Sequence, residues 1–326
     1  MKALILAGGY GTRLRPLTYT RPKHLLPVLG RAHIEHVFDL LLAHGITEVV
    51  MLTSYLAPAF NKVVGDAVRR RLSVEVIQEG QPLGTAGALK NAEGKVKDGT
   101  FIVFNGDILT DADLSAILSF HHARGAEATI ALAPVEDPSA YGVVPTDQIG
   151  KVIGFIEKPP KEEAPTNFIN AGIYVFEPDV LERIPAGRSY SAEYELFPEI
   201  VHAGRMYATS IEGYWMDVGT PQKYLQANLD ALEGRFSSPA APQILDGCLL
   251  GEGARVMEGA QVSCSCLGAG AVIRPGAVVE RSVLLPRTVV AEGAYVCGSV
   301  LGESVSIGPG ARVENEVLGD NEIVEI

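Results

Sequence analysis

Residues 4–28 read LILAGGYGTRLRPLTYTRPKHLLPV, and this stretch decides how the rest of the chain is read. A short apolar strand, Ala3–Ala7, runs straight into Gly8, Gly9 and Gly11, and Lys23, paired with Pro22, follows ten residues after Arg13. Glycine has no Cβ, so the backbone can turn sharply there and bring its N–H groups close to a ligand. Six basic residues (Lys2, Arg13, Arg15, Arg21, Lys23, Arg31) precede the first acidic one, Glu35. In a chain of formal net charge −12, so local a positive field points to a polyanion such as a nucleoside triphosphate. A loop with a solvated basic rim would account for the glycines, but not for Arg13 and Lys23 at this spacing.

Two related motifs are excluded. A Walker A loop needs G-x-x-x-x-G-K-[ST], whereas Thr12-Arg13 follows Gly11. A dinucleotide fingerprint needs a helix that starts inside it, and Arg15-Pro16 stands where that helix would continue. The segment resembles the signature of the sugar-1-phosphate nucleotidyltransferases, G-G-x-G-T-R-L-x-P-L-T-x-x-x-P-K. His24 departs from it, standing where proline or glutamine is usual, but it removes no group the chemistry needs.

At 326 residues the chain is long enough for two domains with separate cores, and its 47% apolar and 20% charged content is ordinary for a globular protein. No apolar run approaches the roughly 18 to 20 residues of a membrane span. The first residues lack a cleavage-type region, so neither a signal peptide nor a membrane segment is expected. Cys248, Cys264, Cys266 and Cys297 match no zinc spacing. They read as small buried apolar residues of a reducing, cytoplasmic protein.

Strand and helix signals alternate through the first half. Strands are expected at Glu48–Thr53, Ser73–Ile77 and Thr100–Asn105, with helices through Ile34–Leu42 and Leu114–His121 and a helix stop at Gly45. Such alternation implies a Rossmann-like parallel or mixed sheet covered on both faces, with ligands beyond the carboxyl ends of the strands. Residues 234–243 (GRFSSPAAPQ) read as a linker between a domain at 1–233 and another at 244–326. In that tail small apolar residues recur every sixth position: Leu250, Val256, Val262; Leu267, Ile273, Val279, Leu285, Ala291, Cys297; Leu301, Ile307, Val313. Two short deletions break the phase. Period six is the mark of a hexapeptide-repeat parallel β-helix, here of roughly four coils, left-handed in the resembled family.

The resemblance implies a chemistry. A sugar-1-phosphate oxygen attacks the α-phosphorus of a nucleoside triphosphate, and pyrophosphate leaves. Fixed cations and aligned N–H donors suit the charge that develops. Arg13 offers a planar fork for the β- and γ-phosphates, and Lys23 a point charge near the α-phosphate. The attacking phosphate is already an anion, so no general base is required. Asp107, at the end of an apolar strand in Phe104-Asn105-Gly106-Asp107, and Asp217, in Gly213-Tyr214-Trp215-Met216-Asp217-Val218-Gly219-Thr220, are the expected Mg2+ ligands. As a helix cap Asp107 would be unremarkable, a role that Asp111 could also fill.

The nucleotide site implied by the resemblance comprises Leu6, Ala7, Gly8, Gly9, Gly11, Thr12, Arg13, Glu79, Pro82, Gly84, Thr85 and Asp107. In Gln78-Glu79-Gly80-Gln81-Pro82-Leu83-Gly84-Thr85-Ala86-Gly87 the glycines would let the main chain approach the base, and Thr85 could hydrogen-bond it. Glu79 stands where thymidylyl and uridylyl relatives commonly have Gln. An ionised carboxylate only accepts, and guanine offers N1–H and N2–H2 side by side, so Glu79 favours GTP unless Gln78 or Gln81 is the base reader. Tyr141, Gly142, Glu157, Lys158 and Asn170 match the family's sugar-binding blocks.

Short blocks favour the mannose-1-phosphate guanylyltransferase branch, making GDP-mannose from GTP and mannose 1-phosphate. The alternative within the family is glucose 1-phosphate with dTTP or UTP. Two other classes are set aside on the residues. An acyltransferase tail would need a histidine base, and all seven histidines precede residue 244. A non-catalytic regulatory subunit would be expected to lose a metal ligand or a phosphate cation, and Arg13, Lys23, Asp107 and Asp217 are all present. Nucleic-acid and membrane partners are not expected. Self-association through the β-helix is.

Overall fold

The computed structural model describes residues 1–54, 56–238 and 244–325, so residues 239–243 of the expected linker lie outside it. The chain forms two compact units: Met1–Gly9 with Leu40–Trp215, and Tyr10–Asp39 with Met216–Ile326.

The first unit is built on a nine-stranded mixed sheet. Its strands are β1 (Lys2–Leu6), β2 (Glu48–Thr53), β3 (Ser73–Gln78), β4 (Phe101–Asn105), β5 (Ala128–Pro134), β6 (Gly142–Val143), β7 (Ile156–Glu157), β8 (Phe168–Phe176) and β9 (Met206–Ser210). The order is β7-β6-β8-β4-β1-β2-β3, with β5 pairing both β8 and β9. β4, β1, β2 and β3 run parallel, and β8 runs antiparallel to β4 and β5. The central strands are buried on both faces, which is why they are continuous apolar runs and do not alternate. Leu4 lies opposite Val50 on one side and Val103 on the other, and Ala3, Leu4 and Ile5 have no exposed surface.

The parallel strands end together. The Ala7 N–H donates to the Leu52 carbonyl at 2.8 Å, and the Gly106 N–H donates to the Leu6 carbonyl at 2.9 Å. Gly8, Ser54, Glu79 and Asp107 therefore all leave the same carboxyl edge, where ligands of such sheets bind. The helix after β4, Leu114–Arg124, is capped by Asp113, which accepts the Ala116 N–H at 3.0 Å. This corrects the expectation for Asp111, whose carboxylate instead accepts the Tyr214 N–H at 2.6 Å.

In the second unit the helix Pro221–Leu232 packs on the loop that follows the glycines. The fully buried Tyr224 donates its hydroxyl to the Pro27 carbonyl at 2.6 Å, and Asn228 accepts the Leu29 N–H at 3.1 Å. The tail folds as three parallel ladders of five, five and four strands, as period six requires. The phase differs from the sequence reading. Ladder partners lie 17 residues apart (Leu267, Leu284, Leu301), so every coil, and not two sites only, contains one five-residue step. Leu284, Val290 and Val296 fill the interior of the middle coil, whereas Ala291 and Cys297 are half-buried and Leu285, though buried, is not part of that apolar cluster. Ser265, Ser282 and Ser299 stack at one corner, each hydroxyl accepting the next coil's N–H at 3.1 Å.

All four cysteines are free. Cys248 and Cys266 are buried as expected, and burial pushes the Cys266 thiol up to about 12. Cys264, between the strands Gln261–Ser263 and Cys266–Leu267, and Cys297, the last residue of the strand Tyr295–Cys297, are only partly buried. Among the described residues no helix is long and apolar enough to cross a membrane. The coil phase yields a paired prediction. Val296→Ala should cost roughly 2 kcal/mol and Cys297→Ala less than about 0.5, measured by urea unfolding of the full chain. Equal losses would return Cys297 to the interior.

Candidate functional site

In the first unit the chain leaves β1 through Gly8, whose carbonyl accepts the Ser54 hydroxyl. A Cβ on Gly8 would lie 3.2 Å from Ser54 Oγ and 3.6 Å from Glu79 Oε2, so Glu79 faces Gly8. The Glu79 N–H donates to the Thr53 carbonyl at 2.7 Å, which fixes the residue just beyond β3. Its Oε1 is buried without a hydrogen-bond partner. Desolvation raises the Glu79 pKa above the ordinary glutamate range, and the Leu83 N–H only partly opposes this. Gln78 and Gln81 are exposed, so Glu79 is the member of the trio turned inward.

The glycines of the 84–87 block permit a close packing contact. Gly84 (φ +72°) and Gly87 let that helix start against the 188–190 segment: added Cβ atoms would sit 2.8 Å from the Tyr190 carbonyl and 2.9 Å from the Arg188 carbonyl. Thr85 donates to Glu193 at 2.8 Å and accepts the Ala192 N–H at 2.7 Å. In this structure its hydroxyl serves packing of that segment.

The residues that match the family's sugar-binding blocks form one neighbourhood of the first unit. Gly142 leaves room for Glu157, whose Oε2 would lie 2.9 Å from an added Cβ. Lys158 Nζ donates to Glu157 Oε1 at 2.5 Å, and its N–H donates to the Tyr141 carbonyl at 3.0 Å. Asn170, on β8, donates to the Tyr174 hydroxyl at 2.8 Å. Sequence reasoning missed Trp215 as part of this group. Its indole packs edge-on against Tyr141 at 5.7 Å and donates to the Ala171 carbonyl at 2.9 Å. Being the only tryptophan, and two residues before Asp217, was the available signal. Asp107, with Leu6 and Ala7, stands at the carboxyl edge of the sheet.

In the second unit Gly11 takes a left-handed conformation (φ +64°), with Lys23 Cβ 3.2 Å and Thr18 Cγ2 3.1 Å from where its own Cβ would be. The turn Thr12–Leu14 then presents Arg13. Arg13 Nη2 and Asp217 Oδ1 converge on Gly219, lying 2.9 Å and 2.7 Å from the position its Cβ would occupy. Lys223, from the first turn of the 221–232 helix, donates to Asp217 Oδ2 at 3.1 Å. Its spacing from Asp217 in a polar helix gave no sign of this. Pro82 and Thr12 are both exposed, Thr12 at the start of its turn.

Glu79 carries a testable cost. Its folded pKa lies above the unfolded value, so the charged form is disfavoured in the fold. Glu79→Gln should therefore raise Tm at pH 8, and the gain should shrink as pH falls through the raised folded pKa. A Tm gain independent of pH would show that the carboxylate is not the cause.

The nucleotidyl transferase family matches residues 2–234, and the GMPPB C-terminal domain matches residues 244–325. The mannose-1-phosphate guanylyltransferase of Mycobacterium tuberculosis is 42% identical over 260 residues, which is 79% of this chain and 72% of that one. The probable mannose-1-phosphate guanylyltransferase 2 of Arabidopsis thaliana is 41% identical, covering 80% of this chain and 75% of its own. Among solved structures, a putative glucose-1-phosphate thymidylyltransferase from Bacillus anthracis superposes with a TM-score of 0.64 at 27% identity, covering 70% of this chain and 94% of that one. By motif, sheet order and these likenesses, the chain belongs to the nucleotidyl transferase family.

Proposed function

We propose that this protein transfers GMP from GTP to mannose 1-phosphate, forming GDP-mannose and pyrophosphate. The observation that carries the transfer chemistry is the convergence of Arg13 and Asp217 over Gly219, a guanidinium and a carboxylate that both reach the space its missing side chain leaves. In this reading the amides around Gly8, Gly9 and Gly11 line the triphosphate, Arg13 takes the β- and γ-phosphates, and Lys23 takes the α-phosphate and the incoming sugar phosphate. The sugar phosphate attacks the α-phosphorus in line and the bond to pyrophosphate breaks. Cations fixed in advance stabilise the charge on the leaving oxygens without reorganising.

The donor set fits magnesium. Among the described residues no three His, Cys, Asp or Glu side chains gather into a metal cluster. Mg2+ asks for less, taking one or two carboxylates with phosphates and water. Asp107 and Asp217 would hold it. Bound there, the ion would neutralise phosphate charge and act as a Lewis acid.

Glu79 favours guanine over thymine or uracil, because its buried, unpartnered oxygen can only accept, and guanine supplies adjacent N–H donors. The two guanylyltransferase relatives point the same way. Tyr141, Gly142, Glu157, Lys158 and Asn170 hold the sugar phosphate, with Trp215 as the wall behind Tyr141. Residues 1–233 are the catalytic domain and 244–326 an assembly domain of a cytoplasmic homo-oligomer.

A panel of GTP, dTTP, UTP and ATP against mannose, glucose and galactose 1-phosphates, scored by pyrophosphate release with Mg2+, tests this reading. GTP with mannose 1-phosphate should be turned over fastest, and a preference for dTTP or UTP with glucose 1-phosphate would replace it. Asp107→Asn should lower kcat by about a hundredfold, the loss expected for one electrostatic anchor. Near-normal turnover would exclude Asp107 as a metal ligand. Glu79→Gln should shift kcat/KM from GTP toward dTTP, and unchanged ratios would mean the base is read elsewhere.

A further inference from the structure

The stretch between Arg13 and Lys23 is gripped from the far end of the chain. Asp320 sits at the corner between the strands Val317–Leu318 and Ile323–Val324 of the last coil. Its Oδ2 accepts from Thr20 Oγ1 and from Arg21 Nη2, each at 2.6 Å, and its Oδ1 accepts the Glu303 N–H at 2.7 Å. Glu303 occupies the same corner one coil earlier. Its Oε2 accepts from the same Arg21 nitrogen at 2.8 Å, and its Oε1 accepts from Arg287. The Arg21 guanidinium thus bridges carboxylates of two successive coils. At this corner the two preceding coils carry Pro286 and Ala269, which bear no charge, and the first coil carries Glu252.

A solvated ion pair contributes little, but these side chains are largely withdrawn from water, Arg21 at 18% and Asp320 at 9% exposure. Burial alone would push the Asp320 carboxyl up. Hydrogen bonds from Thr20, the Glu303 amide and Arg21 outweigh it, so the group stays ionised to lower pH than an ordinary aspartate. Alongside, Pro16 packs on Gly319, where an added Cβ would lie 3.1 Å from Pro16 Cβ.

Within the stretch, the short turns Thr12–Leu14 and Lys23–Leu25, the Thr18 hydroxyl donating to the Gly11 carbonyl at 2.8 Å, and the buried Leu14, Leu17 and Leu26 hold the chain locally. Arg21 is joined to Lys23 through Pro22 alone, whose ring fixes φ at −58°, and the Pro22 carbonyl accepts the Leu25 N–H at 3.0 Å. A shift at Arg21 is therefore passed on to Lys23. We infer that Asp320, with Glu303, is a positioning residue: by holding Thr20 and Arg21, the last two coils set where the Lys23 ammonium stands. Its consequence for turnover rests on the transfer reading above; the grip itself does not.

The test uses the full chain and two variants, Asp320→Asn and Arg21→Gln, each followed by hydrogen–deuterium exchange and by steady-state kinetics. Amides of residues 20–26 should exchange about tenfold faster in both variants, while those of the inner coils keep their protection. With GTP and mannose 1-phosphate, kcat should fall by roughly ten- to a hundredfold with KM for GTP changing less than about threefold, as a misplaced catalytic cation predicts. The exchanged pair, Arg21→Asp with Asp320→Arg, should recover most of the lost kcat. Unchanged exchange at 20–26, protection lost throughout the repeat, or faster exchange with normal kcat would each overturn the assignment. If the wild-type chain turns over no triphosphate, the functional reading fails, and exchange at 20–26 still decides whether the grip exists.

Discussion

A guanidinium and a carboxylate can share the space over residue 219 only because that residue has no side chain. Arg13 and Asp217 each come within 3 Å of where a Cβ would be, so any other residue would force one of them out. Lys223 adds a second cation to the same carboxylate. The result is a fixed set of charges, which is what phosphoryl transfer needs from a protein: positioning and electrostatic preorganisation in place of covalent chemistry. The 221–232 helix, with its buried Tyr224 and Asn228 bonded to the 27–29 loop, keeps that arrangement rigid within its unit.

Glu79 expresses the same logic by a different route. A buried carboxylate oxygen with no partner costs free energy in the empty protein and persists only if something repays it. A ligand edge bearing adjacent N–H donors would do so, and a base presenting an acceptor there would leave the cost in place. Specificity of this kind comes from refusing the wrong base as much as from welcoming the right one.

Much of this was legible in the sequence. The run Leu4–Ala7 into glycine, the carboxylates after β3 and β4, and the six-residue period each reflect a local constraint that leaves a local trace. The coil phase was ambiguous because Leu284-Leu285, Val290-Ala291 and Val296-Cys297 are adjacent apolar pairs, and only the 17-residue ladder register decides which member faces in. Thr85 is bonded to Glu193, 108 residues away in the chain. Lys223, Trp215 and the Asp320–Arg21 contact escaped because nothing near them in the chain records the partner that the fold supplies. The inclusion of residues 10–39 in the same compact unit as the repeat tail has no sequence signature at all.

The central claim is that Arg13 and Asp217 form one side of a triphosphate site. A crystal structure of the chain with GTP and Mg2+ tests it most directly. The account predicts β- or γ-phosphate oxygens within about 3 Å of the Arg13 guanidinium, with guanine N–H groups on Glu79 and the ion on the Asp217 carboxylate. A triphosphate bound away from Arg13 would contradict it.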